Sequence, residues 1–336
     1  MSRRPTVAIV DTPSGTPGGR YVEDLDIELS LLGAIAETRL EIVSPAQQQE
    51  RLLALEDDYI VLWPRLGLDA EFFESNKHCR AVVCASAGYD HIDVAAARAA
   101  DVPVFHVPDY GTEEVADHTL ALALALARAL PGLRQHTLDG GWDWHAIGQA
   151  PRLRGRVWGV VGLGRIGTAV ARRTQTFGMR CVFYDPYVHH GIEKALAIER
   201  VGSLAGLLDI ADVVSLHVPL NAGTRHLLGA GELHRMKRGS ILVNTARGAI
   251  VDVGALRSAL AEGRPGLAGL DVIEGEPLIP SWLREDPRAL LTPHAGFYSV
   301  ESLAELRTRA ADTVAQLIAG RPVTSATPAK TPGQAP

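Results

Sequence analysis

Arg247, Glu276 and His294 stand in three short strings of the second half of the chain. These are Asn244-Thr245-Ala246-Arg247-Gly248, Asp271-Val272-Ile273-Glu274-Gly275-Glu276-Pro277 and Thr292-Pro293-His294-Ala295-Gly296. An arginine can clamp a carboxylate through paired N–H donors and polarise a carbonyl. A histidine can pass a proton in either direction near neutral pH. A glutamate beside that histidine would fix its tautomer and favour the imidazolium, and Glu276 rather than Glu274 is read as that group. Reduction of a 2-keto acid needs these parts: hydride at the carbonyl carbon, a proton at its oxygen and a cation for its carboxylate. Each of the three residues falls at or just after the end of a predicted strand, the edge where open α/β sheets bind ligands.

The hydride source is read from Gly162-Leu163-Gly164-Arg165-Ile166-Gly167. This loop follows an apolar strand, Val157 to Val161, and opens a helix running from Thr168 to Phe177. Gly162 permits the tight turn, Gly164 lets backbone approach a pyrophosphate, and Gly167 lets helix and strand pack closely. Arg165 and Ile166 complete the loop, and the helix start offers N–H groups to phosphates. The next strand, Arg180 to Tyr184, ends at Asp185, 23 residues after Gly162. That spacing suits a carboxylate holding the adenosine ribose hydroxyls, and a carboxylate there repels a 2′-phosphate. The expected cofactor is NAD, in preference to NADP.

A chain of 336 residues, 46% hydrophobic, has the length and apolar content for two packed domains. Its first part alternates strand-like runs (Thr6–Val10, Tyr59–Trp63, Ala81–Cys84, Val104–His106) with helical stretches, including Glu50–Leu55 and Val94–Ala99. A strongly helix-forming segment follows from Thr112 to His136, apolar on all sides over Thr119–Leu133, and is expected to be buried between domains or subunits. A second series adds six strand candidates: Val157–Val161, Cys181–Tyr184, Val213–His217, Ile241–Asn244, Ala268–Asp271 and Leu290–Thr292. The expected fold is α/β, with two Rossmann-like or flavodoxin-like domains, doubly wound parallel sheets and an active site in the interdomain cleft. Residues 1–112 plus 305–320 form the expected substrate domain. Residues 113–304 form the cofactor domain, with a dimerisation helix and loop at 113–154, and 321–336 are read as a disordered tail.

Other classes are disfavoured. Thirty-three basic against 39 acidic residues give a net charge of −6 with no basic run, so nucleic acid is not an expected partner. No apolar stretch reaches the roughly 20 residues of a membrane span, and the N-terminus lacks a signal-peptide pattern. Cys79, Cys84 and Cys181 have no paired spacing and read as reduced core thiols, which points to the cytoplasm. His189 and His190 are adjacent and lack a third ligand at metal spacing, so no metal is expected. The Gly/Pro-rich stretch 11–19 lacks a P-loop ending and reads as a plain loop. His217 reads as a packing or cofactor-edge residue.

From about Ala81 to Gly320 the chain resembles the D-isomer-specific 2-hydroxyacid dehydrogenases. The strings that carry this are Gly88-Tyr89-Asp90-His91-Ile92-Asp93, Gly162 to Gly167, Leu216-His217-Val218-Pro219-Leu220 and the three strings above. Phe183-Tyr184-Asp185-Pro186-Tyr187, Glu193-Lys194-Ala195-Leu196 and Tyr298-Ser299 look most like the C-terminal-binding-protein branch, whose animal members are transcriptional co-repressors. The resemblance implies that Arg247, Glu276 and His294 are catalytic and that Asp271, Thr245 and Ala246 meet the nicotinamide. It implies that Val218, Pro219 and Thr224 line the adenine and ribose, and that Ala87 and Gly88 N–H groups meet a small anionic substrate. It also implies a homodimer formed through the cofactor domains.

Three departures fall in the substrate pocket. Ser86 replaces the first glycine of the usual loop, Cys84 stands where the co-repressors carry an arginine, and Phe297 stands where they carry a tryptophan. Arg65, in Trp63-Pro64-Arg65-Leu66, is read as replacing part of the missing cation, with a surface salt bridge as the plain alternative. Two rival functions remain open. One is oxidation of phosphite or a phosphonate-type anion by the same residues; the other is an NADH-sensing interaction protein with little turnover.

Overall fold

Short Val/Ile/Leu runs become parallel strands here because helices cover both faces of each sheet. The computed structural model describes residues 3–16, 19–148 and 150–323. The chain divides into two units, Met1–Tyr110 with Ser299–Pro336, and Gly111–Tyr298. The first unit holds β1 (Thr6–Asp11), β2 (Glu37–Ile42), β3 (Tyr59–Leu62), β4 (Ala81–Cys84) and β5 (Val104–His106). All pair in parallel, in the flavodoxin-like order β2-β1-β3-β4-β5. β3 and β4 are buried at every residue.

The second unit holds β6 (Val157–Val161), β7 (Arg180–Tyr184), β8 (Glu199–Arg200), β9 (Val213–Leu216), β10 (Ile241–Asn244), β11 (Leu267–Leu270) and β12 (Ala289–Leu291). Their order is β12-β11-β10-β9-β6-β7-β8, so the winding reverses between β6 and β9. That reversal opens a crevice at the strand C-termini, where the glycine loop begins. Both units therefore have the expected doubly wound α/β architecture.

Two strands escape the sequence reading, β2 and β8. Both are edge strands: β2 buries only Glu41, its other residues being exposed or half-buried, and β8 spans two residues, so neither has an apolar run. The expected single apolar helix is two helices, Thr112–Ala127 and Leu130–Leu138. Ala129 breaks it at φ +50. The first helix packs into the core of the second unit: Leu122 and Leu126 press so closely on Gly269 of β11 that a Cβ there would touch both. The second helix has no buried residue.

The terminal helix, Val300–Ile318, belongs whole to the first unit, where the sequence reading divided it at 304/305. Arg307 anchors it, donating from Nε and Nη2 to both oxygens of buried Glu28 at 2.9 and 2.7 Å. Such a bidentate pair satisfies two charges that neither helix could bury alone. The tail expected at 321–336 lies outside the described residues beyond 323.

Candidate active site

At the end of β6, Gly162 adopts φ +90, and a Cβ there would lie 2.7 Å from the His217 carbonyl oxygen. Gly167 is equally constrained, since its Cβ would fall 2.0 Å from the Gly162 oxygen. Gly164 differs: its Cβ position meets open space, and the helix Arg165–Thr176 starts there with no side-chain cap. An open backbone beside uncapped helical N–H groups is a cradle of the kind a pyrophosphate fills. Asp185, after β7, is half-buried and steadies this loop, accepting from Leu163 N–H at 2.8 Å on Oδ2 and from Tyr187 N–H at 2.8 Å on Oδ1. The residues present thus fit a dinucleotide. Val218 packs against Gly162, and the Thr224 hydroxyl closes the following loop by donating to the Pro219 carbonyl at 2.6 Å.

The three strings that carry Arg247, Glu276 and His294 emerge from adjacent strands β10, β11 and β12. His294 Nδ1 lies 2.7 Å from Glu276 Oε1. An ionised carboxylate only accepts, so Nδ1 carries a proton and Nε2 is left as the nitrogen for chemistry. His294 sits at φ +55, in the left-handed region, held by its N–H donating to Asp271 O at 2.8 Å and Thr292 O at 3.0 Å. The buried Asp271 carboxylate shapes the same turn, accepting from Ala295 N–H, Gly296 N–H and the Thr292 hydroxyl at 2.8, 2.9 and 2.7 Å. Burial alone would raise this carboxyl, but His118, Thr292 and the two backbone donors together hold it below the usual range.

Arg247 follows β10, its Nη1 donating to the Ala246 carbonyl at 2.8 Å, while Asn244 accepts from Ala246 N–H and donates to the Arg247 carbonyl. Thr245 is buried and bonds through its hydroxyl to Thr119 at 2.8 Å. Gly248 brings two strings into contact: a Cβ there would lie 2.1 Å from the Ile273 carbonyl carbon. Gly248→Ala should therefore push the Arg247 and Glu276 strings apart. Shifts of about 1 Å can cost about a hundredfold in rate, so kcat/KM should fall by one to two orders of magnitude, checked by steady-state kinetics.

Glu274 takes other partners. It pairs with Arg225 Nη1 at 2.9 Å and His226 Nε2 at 2.8 Å, pinning the outer side of the Asp271–Pro277 loop. Phe297 is half-buried against Gly111.

In the first unit, Ser86 donates to the Gly88 carbonyl at 2.5 Å, and His106 Nδ1 lies 2.8 Å from the Ala87 carbonyl. With those carbonyls held, the N–H groups of Ala87 and Gly88 have no protein acceptor among the described residues. Cys84, at the end of β4, is fully buried beside Ser86 and His91. Arg65 adopts φ +90, an unusual backbone conformation for a residue other than glycine.

The sequence reading missed His118 and Thr119 as neighbours of the site. His118 Nε2 lies 2.9 Å from Thr292 Oγ1 across 174 positions. His217 has a different fate: its Nε2 meets Ser215 Oγ at 2.9 Å, and burial pushes the imidazole from 6.5 down to about 3. The unfolded chain therefore binds the proton first, and folding stability should fall as pH drops from 6.5 towards 3. A His217→Asn variant should lose this slope, most visibly above about pH 4.5, before carboxylates titrate. Urea melts at several pH values would check it. Among the described residues no group of three potential metal ligands occurs, and no helix is long and apolar enough to cross a membrane.

Residues 120–296 match the family described as D-isomer specific 2-hydroxyacid dehydrogenase, NAD binding domain. A glyoxylate reductase of Korarchaeum cryptofilum is 43% identical over 257 residues, 74% of this chain and 75% of that protein. A glyoxylate reductase structure from Paecilomyes thermophila superposes with a TM-score of 0.84 at 28% identity, covering 96% of this chain and 99% of that one. A D-lactate dehydrogenase from Aquifex aeolicus, solved with NAD and lactic acid, gives 0.81 at 27% identity, covering 94% and 96%.

Proposed function

Because the chain belongs to the D-isomer specific 2-hydroxyacid dehydrogenase family, we propose that it interconverts a small 2-keto acid and its D-2-hydroxy acid, with NAD as cofactor. The observation that carries this reading is the 2.7 Å His294–Glu276 pair, on the sheet edge that also bears Arg247 and the glycine cradle. When bound, NADH supplies the hydride for the keto carbon. Arg247 grips the substrate carboxylate and polarises the carbonyl. His294 Nε2 donates the proton to the carbonyl oxygen, and Glu276 stabilises the imidazolium before and orients the ring after transfer.

The glycine loop holds the pyrophosphate and Asp185 the ribose hydroxyls. Val218, Pro219 and Thr224 line the adenosine side, and Thr245, Ala246 and Asp271 the nicotinamide side. Ala87, Gly88, Arg65 and Phe297 are the further residues assigned to substrate recognition, the first two through their N–H groups. The likeness to two glyoxylate reductases favours a 2-keto acid with a very small side chain. Buried cysteine thiols support a reducing cytoplasm. Exposed Leu130, Leu138, Trp142 and Trp144 support a homodimer, to be checked by light scattering.

The test is NADH oxidation against glyoxylate, pyruvate and bulkier 2-keto acids, with NADPH in place of NADH and with phosphite plus NAD in parallel. Turnover of a small 2-keto acid, poorer with NADPH, is the expected outcome. NAD reduction by phosphite would favour the phosphite reading. Tight NADH binding without turnover would favour the sensing one.

A further inference from the structure

We propose that His118 is a positioning residue for the proton donor, fixing the His294 turn through Thr292 and Asp271; this rests on the reading of His294 given above. His118 and Thr119 are the last polar residues before the Ala/Leu run of the helix Thr112–Ala127. Both bond to the catalytic strings: Thr119 to Thr245 at 2.8 Å, and His118 Nε2 to Thr292 Oγ1 at 2.9 Å, with Asp271 Oδ1 at 3.5 Å.

The direction of these bonds follows from the groups. An ionised Asp271 only accepts, and Thr292 has one hydroxyl proton, directed at Asp271 Oδ1 across 2.7 Å. The Thr292 oxygen is then an acceptor, so His118 Nε2 is the donor. The same carboxylate receives Ala295 and Gly296 N–H, and the Asp271 carbonyl receives His294 N–H. A continuous chain of hydrogen bonds thus runs from His118 to the backbone on both sides of His294. The packing is closed as well, since a Cβ on Gly296 would fall 2.9 Å from Asp271 Oδ2 and 3.2 Å from His118 Cδ2.

The same helix is also tied to the helix that the glycine loop opens. Arg173, on the helix Arg165–Thr176, donates to Asp117 at 2.6 Å and also pairs with Glu113. One turn of helix therefore connects the dinucleotide helix to the turn that carries the proton donor. His118 keeps His294 in the left-handed conformation that aims Nε2 relative to the cofactor.

The test compares wild type with His118→Phe, His118→Gln and His118→Asn. Phenylalanine fills the volume without the donor; glutamine places an N–H near the Nε2 position, and asparagine is too short. His118→Phe should lower kcat about tenfold or more, with KM for NADH and keto acid changed less than about twofold. Glutamine should restore most of the loss and asparagine little. His118→Phe combined with Thr292→Val should lose no more than the worse single variant, since both break one chain. Unchanged kcat in His118→Phe, no advantage of glutamine over asparagine, or multiplying losses would overturn the proposal.

Should phenylalanine prevent folding, the glutamine–asparagine comparison stands alone. The His294 Nδ1–H resonance in histidine-labelled protein gives a readout independent of turnover. It should shift or broaden in His118→Asn and recover in His118→Gln; an unchanged resonance in His118→Asn overturns the proposal whatever the activity. Loss of turnover in His294→Ala tests the underlying reading separately.

Discussion

Replacing His294 by alanine should reduce kcat by roughly 10²–10⁴-fold, the usual contribution of a positioned general acid–base. NADH affinity should stay close to wild type, because the pyrophosphate cradle at Gly164 and Asp185 does not involve the imidazole. The fold should tolerate the change: the bonds that hold residue 294 at φ +55 come from its backbone N–H, which alanine keeps. Stopped-flow NADH oxidation and a fluorescence titration of NADH separate the two effects. Near wild-type turnover in this variant would remove His294 from the chemistry.

Arg247→Ala should lower kcat/KM by about two to three orders of magnitude, the scale of truncating one partner of a desolvated charge pair. Arg247→Lys should recover only part, because an ammonium cannot offer the paired donors of a guanidinium. The peptide around Arg247 is held by Asn244, so the loss should come from the side chain and not from collapse of the loop. A ketone lacking the carboxylate gives the control. On it the gap between wild type and Arg247→Ala should shrink sharply, the remainder being the share due to polarising the carbonyl; an undiminished gap would remove the carboxylate-binding role.

The parts of the site that were legible in the sequence are those whose chemistry is local. Gly162, Gly164 and Gly167 fall within six residues between an apolar strand and a helix, so their spacing points to the turn, although the carbonyl that crowds Gly162 belongs to distant His217. Arg247, Glu276 and His294 were legible as types, because each follows an apolar strand whose end is easily placed. Glu276 rather than Glu274 was read as the partner of His294, and the geometry shows the division: Glu276 meets His294, while Glu274 pairs with Arg225 and His226. His118 left only a faint trace, a polar residue ahead of an aliphatic run, because its partner lies 174 positions away. The edge strands Glu37–Ile42 and Glu199–Arg200 were missed because half of their surface faces away from the core. The helix break at Ala129 had a signal, Pro131-Gly132 two residues on, but the long Ala/Leu run around it masked the break.

The proposed reading, with substrate held at Arg247 and His294 beside the cofactor, requires that hydride reach one face of a 2-keto acid. The measurement that tests this most directly is the configuration of the product formed from pyruvate or a bulkier 2-keto acid, with NADH in excess, read by chiral chromatography. The expected product is the D-2-hydroxy acid alone; the L isomer or a racemate would contradict the assignment.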